Sequence, residues 1–183
     1  MSKAVLFFAD GTEECEALLV ADLLRRARVE VIIASAMGRR ALVSSHGIHL
    51  NADALAEDVD YSDVDMVILP GGLGGVHSIL ACDTAMNFIR LAYADGKYIA
   101  AICAAPTILA QLHITDGRKA TCYPGLEEKM GAAVMTACGA VQDGRVITGR
   151  AAGSADEFGL LCLQALKGKA AADQVAADIV YRA

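Results

Sequence analysis

The chain has 183 residues, of which 55% are hydrophobic and 21% charged, and its formal net charge is −6 at pH 7. This length suits one domain over residues 1–183, and an acidic chain without a Lys/Arg cluster excludes a nucleic-acid groove. No apolar run approaches the ~18 residues of a membrane span, so the apolar content indicates a sheet buried on both faces.

Six cysteines lie at positions 15, 82, 103, 122, 138 and 162 and form no CxxC pair. This spacing disfavours metal knuckles and redox dithiols. The first apolar run, residues 4–9, is too short for a signal peptide and is interpreted as a strand. We therefore expect free thiols in a reducing compartment and predict a cytoplasmic location.

The N-terminal half is predicted to alternate strands with helices, from short apolar runs and from apolar residues at helical spacing. In chain order, the elements are a strand at 3–9, a helix at 13–27 capped by Thr12, a strand at 29–36, an excursion hairpin at 41–43 and 48–50, a loosely helical acidic segment at 53–63, a buried strand at 65–69 and a helix at 84–95.

The C-terminal half continues this alternation. Its predicted elements are a strand at 98–102, a helix from Pro106 to residue 112, strands at 119–122, 133–138 and 145–148, a helical turn at 126–130 and helices at 155–166 and 170–181. Residues 142–144 are predicted to turn the chain, and Ser154 with Glu157 to form a capping box. The whole pattern predicts an α/β sandwich with a mostly parallel sheet.

Cys103 lies between the strand at 98–102 and the helix that Pro106 opens. A strand-to-helix turn with small residues after the side chain is the geometry of a nucleophile elbow. The free N–H groups at a helix start favour a thiolate, which is the nucleophilic form of cysteine. A buried cysteine that only fills space is the alternative interpretation of this stretch.

Three loops follow predicted strands and should meet at the carboxyl edge of the sheet: residues 10–12, 70–75 and 103–106. They would bring together the carboxylate of Glu16, a glycine-rich backbone and the thiol of Cys103. This convergence favours a functional Cys103. The glycine-rich loop lacks GxGxxG and a Walker lysine, so it is a weak nucleotide signal, and its N–H groups could instead bind an oxyanion.

His46 and His49 fall in the predicted hairpin. Neither has an acidic or cysteine partner at a metal-ligand spacing in the sequence, so both are interpreted as solvated loop histidines and no metal site is predicted.

Four motifs occur in order along the chain: the segment 13–16 (EECE), the segment 69–72 (LPGG), the segment 100–106 (AAICAAP) and the segment 148–153 (TGRAAG). Together they resemble the ThiJ/PfpI superfamily, in the branch of the parkinsonism-associated protein deglycase and its bacterial relatives. The resemblance runs over essentially the whole chain.

This resemblance implies a flavodoxin-like three-layer sandwich, a nucleophile-elbow cysteine and a homodimer. It implies that Cys103 is the reactive cysteine and that Glu16 is the protonated glutamate bonded to it. It places the oxyanion site at Gly71, Gly72 and Ala104. The implied activity is glutathione-independent glyoxalase or deglycase chemistry on methylglyoxal, or on early adducts of proteins and nucleotides, in carbonyl and oxidative stress defence, without cofactor or metal.

Several positions depart from the pattern, among them the loop 151–153, which lacks the family's proline, and His46, which stands where a relative has Arg. Tyr123 stands where several relatives have His, so a Cys–His dyad is not assumed and Tyr123 is expected to line the substrate site. Ala104 stands where the protease-like branch has His, which argues against peptidase activity.

The leading hypothesis is attack of the Cys103 thiolate on an aldehyde, with Glu16 moving the protons. A redox-sensing cysteine protein or stress chaperone without turnover is the alternative, because both need the same thiol and carboxyl. A flavin or nucleotide carrier on a flavodoxin-like fold is a weaker third possibility.

Overall fold

The computed structural model describes residues 2–182 and is built on a seven-stranded sheet. Its strands, with those of two small side sheets, are β1 (Lys3–Phe8), β2 (Glu30–Ser35), β3 (Ala41–Val43), β4 (His49–Asn51), β5 (Ala54–Leu55), β6 (Met66–Leu69), β7 (Tyr98–Ile102), β8 (Lys119–Ala120), β9 (Val134–Met135), β10 (Ala140–Asp143) and β11 (Val146–Gly149).

The main sheet has the order β10-β11-β7-β6-β1-β2-β5. Every neighbouring pair is parallel except the antiparallel pair of β10 and β11. The excursion hairpin is confirmed, because β3 pairs antiparallel with β4. The order places β1, β6, β7 and β11 side by side, so the loops that follow these strands share one edge.

Helices cover both faces of this sheet. They are α1 (Glu14–Arg26), α2 (Leu73–Leu80), α3 (Asp83–Ala94), α4 (Pro106–Gln111), α5 (Ala155–Lys167) and α6 (Lys169–Asp178). Within β1, Leu6 and Phe8 pack in the core that contains residues of α1, α5 and α6, whereas Val5 and Phe7 pack in the core with α2, α3 and α4. Successive side chains of a strand point to opposite faces, so this uniformly apolar strand serves both cores.

The predicted α/β sandwich with a mostly parallel sheet is therefore confirmed, with two helical layers around it. No helix within residues 2–182 is long and apolar enough to cross a membrane.

Several local predictions are wrong, and the segment 53–63, predicted as loosely helical, begins with strand β5. Glu13, not Thr12, caps α1, and its side chain accepts from the Cys15 N–H at 3.1 Å. The Thr12 hydroxyl instead accepts from the Ala9 N–H at 3.0 Å, inside the preceding turn. The capping box at α5 does not form, because Ser154 makes no capping bond with its side chain.

Two further errors concern whole elements. Helix α2 lies where the sequence analysis has only a glycine-rich loop. The strand predicted at 133–138 shrinks to β9, and the residues that pair with β11 are those of β10, part of which was predicted as a turn.

Candidate active site

Cys103 lies in the sharp turn between β7 and α4, with a backbone φ of +66°. A non-glycine residue rarely adopts this left-handed conformation, so the surrounding structure must impose it. Two backbone bonds do so: the Cys103 N–H donates to the Gly149 carbonyl at 2.9 Å, and the Cys103 carbonyl accepts from the Tyr123 N–H at 2.8 Å. The expected nucleophile-elbow geometry is present.

Glu16 lies in the first turn of α1 and is 1% exposed. Its Oε2 accepts the Gly71 N–H at 2.8 Å, and the Ala152 N–H and the Cys103 thiol lie close enough to the carboxyl to favour its ionised form. Burial raises the pKa of Glu16, because the ionised form has lost its water, and these donors oppose that shift. The carboxyl is therefore held closer to neutrality than an exposed glutamate.

Burial also raises the pKa of the Cys103 thiol, and with the charge of a Glu16 carboxylate the value reaches about 12. The N–H groups of Gly72 and Ala104 act in the opposite direction, because they donate to the sulfur. The expected preference for a free thiolate is therefore wrong while Glu16 is ionised. The two groups titrate as a coupled pair, because a negative charge on one side chain makes the loss of a proton from the other less favourable.

Gly71 lies against both members of this pair. A Cβ atom added there would lie 2.6 Å from the Cys103 Cβ, 2.6 Å from the Glu16 Oε2 and 3.0 Å from the Cys103 Sγ. No side chain fits in that space. Gly71 thus allows the thiol and the carboxyl to meet, and its N–H is already bonded to Glu16.

Gly72 has a different role. Its φ is +81°, and an added Cβ would lie 2.3 Å from the Gly11 carbonyl oxygen. Its N–H and that of Ala104 both reach the Cys103 sulfur. Two backbone donors at the nucleophile are suited to stabilise an oxyanion formed on a carbon bonded to that sulfur. Gly71, which was expected to share this role, instead orients the carboxyl.

A cavity of about 290 Å³ opens on the half-buried Cys103. Its lining is mostly apolar and consists of Gly72, Leu73, Cys103, Ala104, Tyr123, Pro124, Gly125 and Leu126. Tyr123, which is 49% exposed, is part of this wall, as expected.

The residues that the sequence analysis missed are those that act through the backbone or by shape. The Ala152 N–H lies close to the Glu16 carboxyl, and the only signal for Ala152 was its place in the 148–153 motif. Leu73 and Leu126 line the cavity, but neither stands out in the sequence.

His46 has acidic neighbours that its position in the sequence did not indicate. Its Nδ1 lies 2.9 Å from the Glu14 Oε1 and 3.3 Å from the Glu13 Oε2, and the Ser45 hydroxyl donates to both carboxylates. Ligand atoms of the three titratable residues lie within 4.8 Å of one another. His46 is nevertheless an exposed loop histidine, as predicted, since its side chain is 71% exposed; only its acidic neighbours were not indicated.

The fold and the site together define a class: a flavodoxin-like α/β protein with a nucleophile-elbow cysteine beside a buried glutamate. The chain matches the DJ-1/PfpI family over residues 2–165 and belongs to that family. This finding confirms the resemblance drawn from the four motifs.

Three relatives illustrate the range of the family. Protein DJ-1 homolog A of Arabidopsis thaliana is 37% identical over 99% of this chain and 47% of its own length. Drosophila melanogaster protein dj-1beta is 35% identical over 98% of each chain. A Pyrococcus abyssi protein named as a deglycase is 29% identical over 70% of this chain and 76% of its own length. The chain thus spans less than half the length of the Arabidopsis relatives and nearly all of the Drosophila one.

Solved structures of family members match the fold of this chain over its full length. A cysteine-to-alanine mutant of a DJ-1 superfamily protein from Salmonella typhimurium has a TM-score of 0.95 and 30% identity over the full length of both chains. The oxidized form of Toxoplasma gondii DJ-1 gives the same TM-score and identity over both full lengths.

Proposed function

We propose that this protein is a cysteine-dependent, glutathione-independent glyoxalase of the deglycase type, with Cys103 as nucleophile and Glu16 as the proton carrier. The single observation that carries this proposal is the pair formed by a thiol and a buried carboxyl, which lie side by side against Gly71, with the thiol at an accessible cavity. The deglycase name of the Pyrococcus abyssi relative supports the reaction class. The substrate is methylglyoxal, or an early adduct that it forms on a protein or nucleotide.

The first step uses the one proton of the coupled pair. Glu16 takes the proton of the thiol while the Cys103 sulfur attacks the aldehyde carbon, so an S–C bond forms and the C=O π bond breaks. The N–H groups of Gly72 and Ala104 stabilise the resulting oxyanion. Glu16 then returns the proton to that oxygen, which gives a neutral hemithioacetal and leaves a carboxylate.

The same carboxylate completes the isomerisation. It removes the hydrogen on the former aldehyde carbon as a proton and returns it to the adjacent carbon of the enediolate. The hydroxyl proton of the hemithioacetal passes to the neighbouring oxygen, which gives a lactoyl thioester. Water then breaks the S–C bond, which releases lactate and restores the thiol. No external oxidant or reductant is needed, because one carbon is oxidised and its neighbour is reduced.

The test is methylglyoxal consumption and lactate formation in the absence of glutathione, for wild type and Cys103→Ala. Cys138→Ala, which removes an exposed thiol elsewhere, is the matched control. Turnover should vanish only in Cys103→Ala. Equal turnover in the two variants would contradict the proposal.

A redox-sensing role without turnover is the second candidate, and the hydrogen bonds around the sulfur favour it. The donors at Gly72, Ala104 and a protonated Glu16 could equally bind the oxygens of an oxidised cysteine. Preferential oxidation of Cys103 by dilute peroxide, in a protein that consumes no aldehyde, would make this role primary.

We also propose a homodimer, since the DJ-1/PfpI resemblance implies one. Leu18 on α1 and Ile48 beside β4 are large apolar residues that are 38% and 47% exposed, which makes α1 and the hairpin the candidate contact. Light scattering of wild type and Leu18→Glu tests it: the variant should be monomeric.

A further inference from the structure

Leu73 is a large apolar side chain that is 61% exposed, at the first position of α2. It lies beside the nucleophile, because it and Leu126 both line the Cys103 cavity. The same two leucines, with Ala104, also line a second cavity of about 150 Å³. The two spaces therefore adjoin, and Leu73 and Leu126 form their common wall.

The second cavity continues away from Cys103 along α2 and α4. Beyond the shared wall its lining is Val76, His77, Leu80, Thr107, Gln111 and Lys129. Val76 and Leu80 give this cavity apolar surface, and its polar groups come from Thr107, Gln111, His77 and Lys129. A cavity that adjoins the nucleophile and offers apolar side chains before a polar end is shaped for a substrate substituent.

Methylglyoxal makes little use of this groove, since its only substituent is one methyl group. The side chains of Leu73, Tyr123, Pro124 and Leu126 would then stay exposed to water after binding. Exposed apolar surface of this kind commonly marks a binding groove, and covering it favours association.

We propose that Cys103 acts on carbonyl compounds with an apolar substituent of several carbons, which lies across Leu73 and Leu126 and ends in the second cavity. The reaction itself rests on the proposed function, but the groove does not. The substituent takes no part in bond making or breaking. Leu73 and Leu126 are thus specificity-determining residues.

The first experiment measures the groove without requiring turnover. N-methylmaleimide and N-hexylmaleimide react with a thiol by the same addition to the C=C bond and differ only in the length of the substituent. Trypsin cleavage after Lys97 and Arg118 leaves Cys103 as the only cysteine of its peptide, and cleavage after Lys129 and Arg145 does the same for Cys138. Mass spectrometry then gives both rates in one sample, with the exposed Cys138 as internal reference.

The hexyl reagent should be favoured at Cys103 by about tenfold over its preference at Cys138. This preference should disappear in Leu73→Ser and in Leu126→Ser. Leu91→Ser, which changes a 36% exposed leucine on α3, is the matched control and should keep it. The inference would be overturned if the wild type preferred the hexyl reagent equally at Cys103 and Cys138. It would also be overturned if Leu73→Ser and Leu91→Ser lost this preference to the same extent.

The second experiment separates the groove from the reaction. It compares kcat/KM for methylglyoxal and for 2-oxooctanal, the analogue with a hexyl group, in wild type and Leu73→Ser. A preference for 2-oxooctanal that Leu73→Ser removes supports both proposals. Maleimide selectivity without consumption of either aldehyde supports the groove and rejects the glyoxalase function. Methylglyoxal turnover without any hexyl preference in either experiment keeps the function and rejects the groove.

Discussion

At the scale of the residue, the proposed chemistry depends on one proton shared between the buried Glu16 and the half-buried Cys103. Glu16 and Cys103 each have a raised pKa, and the first cause in both is burial. Each group is less acidic because it is dry, and Cys103 is less acidic again when Glu16 carries a charge. In the proposed mechanism this pair passes a proton between the sulfur, the carboxyl and the substrate.

Glu16→Gln tests this coupling. The amide keeps the size of the carboxyl and can still accept the Gly71 N–H, but it cannot take the thiol proton. We expect methylglyoxal turnover to fall by about 10²–10⁴-fold. We also expect the pKa of Cys103 to fall, because the neighbouring negative charge is gone. The rate of iodoacetamide alkylation at Cys103 against pH measures that value.

The control for this variant is Glu128→Gln, on an exposed carboxyl. It should change neither the activity nor the alkylation profile. An unchanged Cys103 pKa in Glu16→Gln would show that the two groups are not coupled.

Gly71→Ala tests the space between the two groups. The added Cβ would lie 2.6 Å from both the Cys103 Cβ and the Glu16 Oε2, so the pair must separate. We expect at least a tenfold loss of turnover and a destabilisation of about 1–3 kcal/mol, as for other overpacked sites. Gly153→Ala, at a glycine with open space around it, should leave both quantities unchanged. Steady-state kinetics and urea unfolding provide the readouts.

At the scale of the element, α1 places Glu16 and is itself tied to the loop that precedes β4. The Glu14 Oε2 accepts the Ser45 hydroxyl at 3.1 Å, and the Glu14 Oε1 lies 2.9 Å from the His46 Nδ1. Although burial opposes it, the backbone N–H of Glu14 and the hydroxyls of Ser44 and Ser45 lower the pKa of this carboxyl to about 2. The first turn of α1 is thus held by an ionised side chain.

This attachment predicts a pH-dependent loss of stability. The pKa of Glu14 is lower in the folded than in the unfolded state, so its ionised carboxyl stabilises the fold. This stabilisation is complete above the ordinary pKa of 4.5 and is lost as the pH falls towards 2. Glu14→Gln should therefore cost about 1.5–3 kcal/mol at pH 7, the range for a charged hydrogen-bonded group, and the difference from wild type should shrink below pH 4.5. Urea unfolding at several pH values measures it, and a constant difference would contradict the interpretation.

The sequence predicted the elements that follow from a local residue pattern, and it failed where a contact with residues distant in the chain determines the structure. The strands of the core follow from apolar runs such as that of β1. Helix α2 was missed because Gly74 and Gly75 suggest a loop, whereas a Cβ on Gly75 would lie 2.4 Å from the Thr12 Oγ1, so close packing explains that glycine. The raised pKa of Cys103 was missed for the same reason, since burial and Glu16 cause it and neither can be read from the residues around the cysteine.

At the scale of the whole molecule, the site is built at some cost to stability. The pKa of Glu16 is raised because the folded state disfavours its ionised form. The protonated carboxyl therefore contributes its full stability below the ordinary pKa of 4.5, and this stability is lost as the pH rises through the folded-state pKa. Functional sites commonly carry such a cost.

Glu16→Gln should relieve that cost, because a neutral amide does not ionise. We expect the stability of the variant relative to wild type to increase from pH 4.5 upwards, so that at pH 8 it is at least as stable as wild type and nearly inactive. Urea unfolding at pH 5 and pH 8 measures this. A variant that is less stable than wild type at pH 8 would show that the carboxylate is well solvated in the fold.

The order of the main sheet has a consequence for how the protein behaves at high concentration. Its two outermost strands are β5, which has only two residues, and β10, which runs antiparallel to its neighbour and ends at Asp143. Short or charged outer strands offer few free N–H and C=O groups to another chain. The apolar strands β1, β6 and β7 lie inside and are paired on both sides. Although 55% of the residues are hydrophobic, the apolar strands of the main sheet are thus kept from pairing with another chain.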